Sequence, residues 1–73
     1  MKFHYYEETD SLYIDLSSHT SVDSKEVSPG VVIDYGEDGQ IVGIDIQKAS
    51  KIVDLTSIEA DEIPIKKLSF IQK

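Results

Sequence analysis

Apolar and polar side chains alternate through most of the first 46 residues. Leu12, Ile14 and Leu16 recur at spacing two, with Tyr13 and Asp15 between them, which is the pattern of a half-buried strand. Ahead of them, Lys2-Phe3-His4-Tyr5-Tyr6 is aromatic-rich and predicts an extended segment. Glu7-Glu8-Thr9-Asp10-Ser11 interrupts it with turn-forming polar residues. Ser17 to Ser21 reads as a loop. Val22 to Ser28 reads as a polar edge strand, with Lys25 and Glu26 deterring contact with another sheet. Pro29-Gly30 signals a turn just before Val31-Val32-Ile33-Asp34-Tyr35. Gly36-Glu37-Asp38-Gly39 then leads into Gln40-Ile41-Val42-Gly43-Ile44-Asp45-Ile46. Asp38-Gly39 between two apolar runs is a strong hairpin signal.

The register of this last hairpin follows from its pattern. Val31, Ile33 and Tyr35 share one face of their strand, and Val42, Ile44 and Ile46 share one face of the next. Burying both sets together requires a loop with an even number of residues, either Asp38-Gly39 alone or Gly36 to Gly39. The opposite face is then left with Val32, Asp34, Ile41, Gly43 and Asp45.

After Ile46 the period changes. Gln47 to Leu55 contains Ala49, Ile52, Val53 and Leu55 without glycine or proline, and predicts a short helix. Thr56-Ser57-Ile58-Glu59 has the form of a capping box. A helix begun there must end by Ile63, because Pro64 restricts the residue before it. From Pro64 to Lys73 the pattern fits both helix and strand: Ile65, Leu68 and Ile71 repeat at helical spacing, whereas Leu68 and Phe70 fit a strand; helix is preferred. The expected architecture is α+β, a single small domain over residues 1–73. A four- or five-stranded antiparallel β-meander occupies 1–46, and a helical or irregular segment over 47–73 packs one or two short C-terminal helices on it.

Seventy-three residues are few. A chain of this size buries only about 60% of the surface its unfolded form exposes. Small scaffolds therefore draw support from disulfides, metals or oligomerisation. Cysteine is absent, which fits a reducing compartment, and a cytoplasmic location is expected. No apolar run approaches the roughly 18 residues of a spanning helix, so no membrane association is expected. The polar and acidic residues soon after Lys2, His4, Glu7, Glu8 and Asp10, do not resemble a secretory leader. Net charge is −7, and it is uneven: residues 1–46 set two lysines against ten acids, whereas 47–73 set five lysines against four acids. Such a balance opposes contact with a phosphate backbone, so no nucleic-acid role is expected. It favours docking of a basic partner at low salt.

No phosphate-binding glycine loop is present, since Gly30, Gly36, Gly39 and Gly43 match no such spacing. His19 lies in a serine-rich loop and reads as solvated. His4 alternates with Phe3 and Tyr5 as a partly exposed strand residue. No catalytic, cofactor-binding or metal-ligating residue is assigned, and no cofactor is expected. The sharpest local feature is Ile-Asp three times over: Ile14-Asp15, Ile33-Asp34 and Ile44-Asp45. On one sheet these put three carboxylates on a single face. Solvent-side charge on an amphipathic sheet accounts for such a pattern without any function. A divalent cation held through oxygen and an acidic surface for a partner are the functional alternatives. Tyr13, Val32 and Ile41 share the alternating face with Asp15, Asp34 and Asp45, and this mixture of apolar and acidic residues defines the candidate interaction surface. Its expected cover is the C-terminal segment, with Ile65, Leu68 and Phe70 over the sheet and Lys66 or Lys67 near the aspartates. A second chain in a homodimer is the alternative.

Tyr5-Tyr6-Glu7-Glu8-Thr9-Asp10-Ser11-Leu12-Tyr13-Ile14, Gly30-Val31-Val32-Ile33-Asp34-Tyr35, Asp38-Gly39, Val42-Gly43-Ile44-Asp45-Ile46 and Ala49-Ser50 together resemble the YuzE-like proteins, domain of unknown function 2283. The resemblance covers roughly two thirds of the chain and thins after Ile52. It implies a compact antiparallel sheet followed by a helix, no established activity, and an antitoxin-like pairing with a small toxin. Three functions are therefore set against one another: a non-catalytic interaction module receiving a basic protein on the acidic face, a small metal-dependent hydrolase using the aspartates, and a structural homo-oligomer.

Overall fold

The computed structural model describes residues 1–71. Five strands, β1 (Lys2–Tyr6), β2 (Ser11–Asp15), β3 (Asp23–Ser28), β4 (Val31–Tyr35) and β5 (Ile41–Ile46), precede one four-residue helix, α1 (Ala49–Ile52). The strands form a single sheet in the order β1-β2-β5-β4-β3, antiparallel at every interface. The hairpin β1-β2 and the three-stranded run β3-β4-β5 are each built from neighbours in sequence. They join through the β2–β5 pairing, so the connection 16–22 carries the chain from the sheet's interior to its far edge. That connection is pinned at both ends: Leu16 N–H donates to the Val42 carbonyl at 2.9 Å, and Val22 N–H to the Tyr35 carbonyl at 2.8 Å. The expected polar edge strand is β3.

The pairing sorts the side chains into two faces, since residues directly opposite one another point the same way. One face carries the row Phe3, Ile14, Ile44, Ile33, Lys25 and, next to it, the row Tyr5, Leu12, Ile46, Val31. The other carries Lys2, Asp15, Gly43, Asp34, Ser24 and then His4, Tyr13, Asp45, Val32, Glu26. The alternation seen in the sequence is thus realised: the isoleucines point one way and the aspartates the other.

The β4–β5 turn differs in detail from the even loop inferred from the pattern. Five residues, 36–40, form it; Gly36 N–H donates to the Gln40 carbonyl at 2.8 Å and Gln40 N–H to the Asp38 carboxylate at 3.1 Å. A register shift follows, with Tyr35 opposite Ile41 but Asp34 opposite Gly43, so that Val42 is the extra residue of a bulge. The odd loop and the one-residue bulge together restore, from Gly43 onward, the partition that an even loop would have given, whereas Ile41 stands opposite Tyr35 and leaves the aspartate face. At the β3–β4 turn, Pro29 followed by Gly30 at φ +83° is the combination a type II turn demands.

Helix α1 is shorter than the pattern over Gln47–Leu55 allows, and it stands at the end of the sheet between two turns. Gln47 N–H donates to the Gly30 carbonyl at 2.7 Å, and Ala49 N–H to the Asp10 carbonyl at 2.8 Å. Ala49 is fully buried there. Val53, at φ −124° and ψ 156°, returns the chain to an extended course. The capping box at Thr56 starts no helix. Instead Thr56 gives both its N–H and its hydroxyl to the Asp54 carboxylate, a local turn that competes with helix formation. No helix follows Pro64 among the described residues, and Gln72 and Lys73 lie outside them.

Burial is thin. Among the described residues only Val42, Ile46 and Ala49 form a buried apolar core, and β2 and β4 are half-buried along their whole length on both faces. The expected cover by the C-terminal segment is not made: Leu68 and Phe70 remain 71% and 78% exposed. Pro64 and the loss of periodic structure after Val53 leave this segment without an amphipathic element to lay on the sheet. The molecule is one layer with a small plug at one end.

Candidate functional site

The face that carries the aspartates is centred on Gly43. Asp15 of β2 and Asp34 of β4 stand opposite Gly43 on its two sides, and Asp45 follows two residues along β5, opposite both Tyr13 and Val32. With strands about 4.8 Å apart, the backbones of Asp15 and Asp34 are roughly 10 Å from one another. Their separation is spanned by Tyr13. Its ring crosses β5 diagonally and its hydroxyl donates to Asp34 Oδ2 at 2.8 Å. The crossing needs Gly43, because a Cβ built there would stand 2.1 Å from the Tyr13 hydroxyl oxygen and 2.7 Å from Cζ. The other oxygen of Asp34 accepts from the Ser24 hydroxyl of β3 at 2.6 Å. One hydrogen-bonded chain of side chains therefore crosses four strands, β2 over β5 to β4 and on to β3. Among the described residues no buried side-chain polar atom is left without a partner.

Electrostatics follow from this arrangement. Its hydrogen bond to the Asp34 carboxylate, then burial, then the negative charge of Asp34, Asp15 and Asp45 push the Tyr13 hydroxyl up to about 12. Phenolate formation there would add a further negative charge beside the three aspartates. Among the described residues, Asp15 and Asp45 have no side-chain hydrogen bond, and their carboxylates meet solvent, in contrast with Asp34. Lys2, opposite Asp15, and His4, opposite Tyr13, belong to the same face at its β1 edge.

Five of the six residues expected to form the surface, Tyr13, Asp15, Val32, Asp34 and Asp45, are brought together. Ile41 is set opposite Tyr35 at the bulge, 48% exposed, and does not lie in their rows. Among the described residues no group of three or more histidine, aspartate and glutamate side chains is arranged to hold a metal ion. The aspartates ring Gly43 at strand spacings and do not converge on a common point. His19 is exposed in the 16–22 connection, and His4 is exposed on β1.

A second constellation escaped the sequence reading, in which Asp10 was only a turn residue. Asp10, at φ +51° in the turn just before β2, accepts the Ser50 N–H at 3.1 Å, the Ser50 hydroxyl at 2.6 Å and the Tyr5 hydroxyl at 2.8 Å. It caps the first turn of α1 from a distant segment, a task Lys48 at the N-cap position does not perform. The Ser50 and Tyr5 hydroxyls hold its carboxyl below the usual aspartate value, and Asp10 in turn raises the Tyr5 hydroxyl.

Comparison with protein families matches residues 2–50 to a protein of unknown function (DUF2283). The chain belongs to this family. The matched residues take in all five strands, the Tyr13–Gly43–Asp34 crossing and the Asp10–Ser50 clasp, and leave out the segment after Ser50. Neither the curated proteins nor the solved structures give a match. Among the described residues, no helix is long and apolar enough to cross a membrane.

Proposed function

We propose that the chain is a non-catalytic protein-interaction module that receives a basic protein partner on the face bearing Tyr13, Asp15, Val32, Asp34 and Asp45. The single observation carrying this reading is the division of labour among the three aspartates. Asp34 is committed to Tyr13 and Ser24 and stiffens the face, whereas Asp15 and Asp45 stand free on either side of the Tyr13 ring. An acidic pair around an aromatic ring on a rigid sheet suits lysine or arginine side chains, whose stems pack on the ring while the charged ends reach the carboxylates. The −7 net charge assists the approach of such a partner. An antitoxin-like pairing with a small basic toxin is one form this function takes.

The test is capture at low salt from a lysate of the source cells, with identification of the retained protein, using the wild type and the double variant Asp15→Lys, Asp45→Lys. The reading expects a specific basic protein whose retention falls at least tenfold with the charge-reversed chain and declines as salt rises. Equal retention by both chains, with circular dichroism showing both folded, overturns it.

A further inference from the structure

Among the described residues, nothing forms a second layer on the apolar face of the sheet. The rows Phe3, Ile14, Ile44, Ile33 and Tyr5, Leu12, Ile46, Val31 make a contiguous surface, yet only Ile46 among them is buried and Phe3 is 50% exposed. An antiparallel sheet normally packs one face against another layer to gain independent stability. The segment after α1, which could have supplied it, leaves Ile58, Leu68 and Phe70 in water instead.

The surface area measures the shortfall. The chain exposes 6386 Å², whereas a compact monomer of 8.2 kDa exposes about 4,500 Å². The excess, roughly 1,900 Å², belongs to the whole chain, and the exposed segment after Val53 contributes to it together with the sheet face. Charge selects the occupant. The chain is strongly acidic, and two copies repel wherever their carboxylates approach. On this face few approach: Asp15, Asp34, Asp45 and Glu26 all point to the opposite side, and the charged strand residues on this side are Lys25, opposite Ile33, and Asp23, opposite Tyr35, of opposite sign and both on the edge strand β3. Two sheets stacked through this face keep their acidic surfaces outward and about 10 Å of side chains between them.

We infer that this face receives a second copy of the same chain, giving a two-layer homodimer with an acidic surface on each outer side. The inference stands apart from the partner proposed above, because purified protein alone tests it. Sedimentation equilibrium over a wide concentration range is expected to give a species of about twice 8.2 kDa. The variant Phe3→Asp, at a half-exposed edge position that a monomer tolerates, is expected to weaken the dimer at least tenfold, and Asp15→Lys on the opposite face to leave it at least as strong. In a mixture of isotope-labelled and unlabelled wild-type chains, intermolecular contacts are expected between the methyl groups of Ile14, Ile33 and Ile44. This last measurement decides the matter even where Phe3→Asp fails to fold. A folded monomer at every concentration overturns the inference. So do intermolecular contacts mapping to the Tyr13 face or to a strand edge, or intramolecular contacts from Leu68 and Phe70 onto Ile14.

Discussion

Tyr13 and Asp34, twenty-one residues apart and on strands that do not pair, are joined by a 2.8 Å hydrogen bond laid over the bare backbone of Gly43. The bond exists only because the intervening strand offers no side chain at that point. It ties the β1-β2 hairpin to the β3-β4-β5 run on the face opposite the isoleucines.

Gly43→Ala is therefore expected to destabilise the chain by about 1–3 kcal/mol, since the new methyl group displaces the Tyr13 ring and Asp34 loses its partner. For a domain of this size each kcal/mol corresponds to roughly 4–8 °C in melting temperature. Thermal melts of Gly43→Ala, Tyr13→Ala and the double variant form a cycle. The double variant should lie close to Tyr13→Ala alone. Strict additivity would show that the ring and the glycine are not coupled.

Tyr13→Phe keeps the ring and removes the donor, with an expected loss of about 1 kcal/mol in urea denaturation at neutral pH. A tyrosine whose folded value is raised lends stability that is fully present below its unfolded value and is lost as pH climbs through the folded one. For Tyr13 that window runs from 10 to about 12. The wild type should lose part of its margin over Tyr13→Phe across this range. A spectrophotometric titration should show one phenolate forming near its upper end, absent from the variant.

Asp10 works in the opposite direction. Its carboxyl is held low by Ser50 and Tyr5, so its contribution is present above the unfolded value of 3.8 and disappears as pH falls through the lower folded value. Asparagine tolerates the left-handed backbone and isolates the effect of charge. Asp10→Asn should melt below the wild type at neutral pH, and the two curves should converge in acid. A gap that persists unchanged below the folded value would assign the effect to packing alone.

Lys48 also adopts the left-handed region, at φ +51°, but with no side-chain cap to justify it. Lys48→Gly removes a cost of about 1 kcal/mol and should raise the melting temperature by a few degrees. Asp10→Gly, at the same φ, should lower it, because there the side chain holds the helix.

Strands were legible because their period is two, and Ile14, Ile33 and Ile44 keep to it and end in one row. Pattern alone did not reveal the bulge at Val42, since an even loop and an odd loop with one extra residue give the same faces from Gly43 onward and differ at Ile41. The helices were over-read. Helical spacing in residues 53–71 had no buried surface to act on, and a short local bond from Thr56 to Asp54 won. Of the acidic face, the aspartates could be read but their unequal roles could not. A glycine in the middle of an apolar strand was the available sign of a close approach, and Tyr13 on the neighbouring strand was the side chain large enough to make it. Asp10 gave no comparable sign, because its partner Ser50 lies forty residues away.

The two rims of the sheet are not alike. At one, β3 presents Asp23, Lys25 and Glu26 and an irregularity between Glu26 and Ser28. The other is the aromatic strand β1. Endless head-to-tail growth into a fibre requires each rim to accept the other, and a charged, kinked strand refuses that match. A polypeptide with so much uncovered apolar surface is thereby steered away from amyloid-like ribbons.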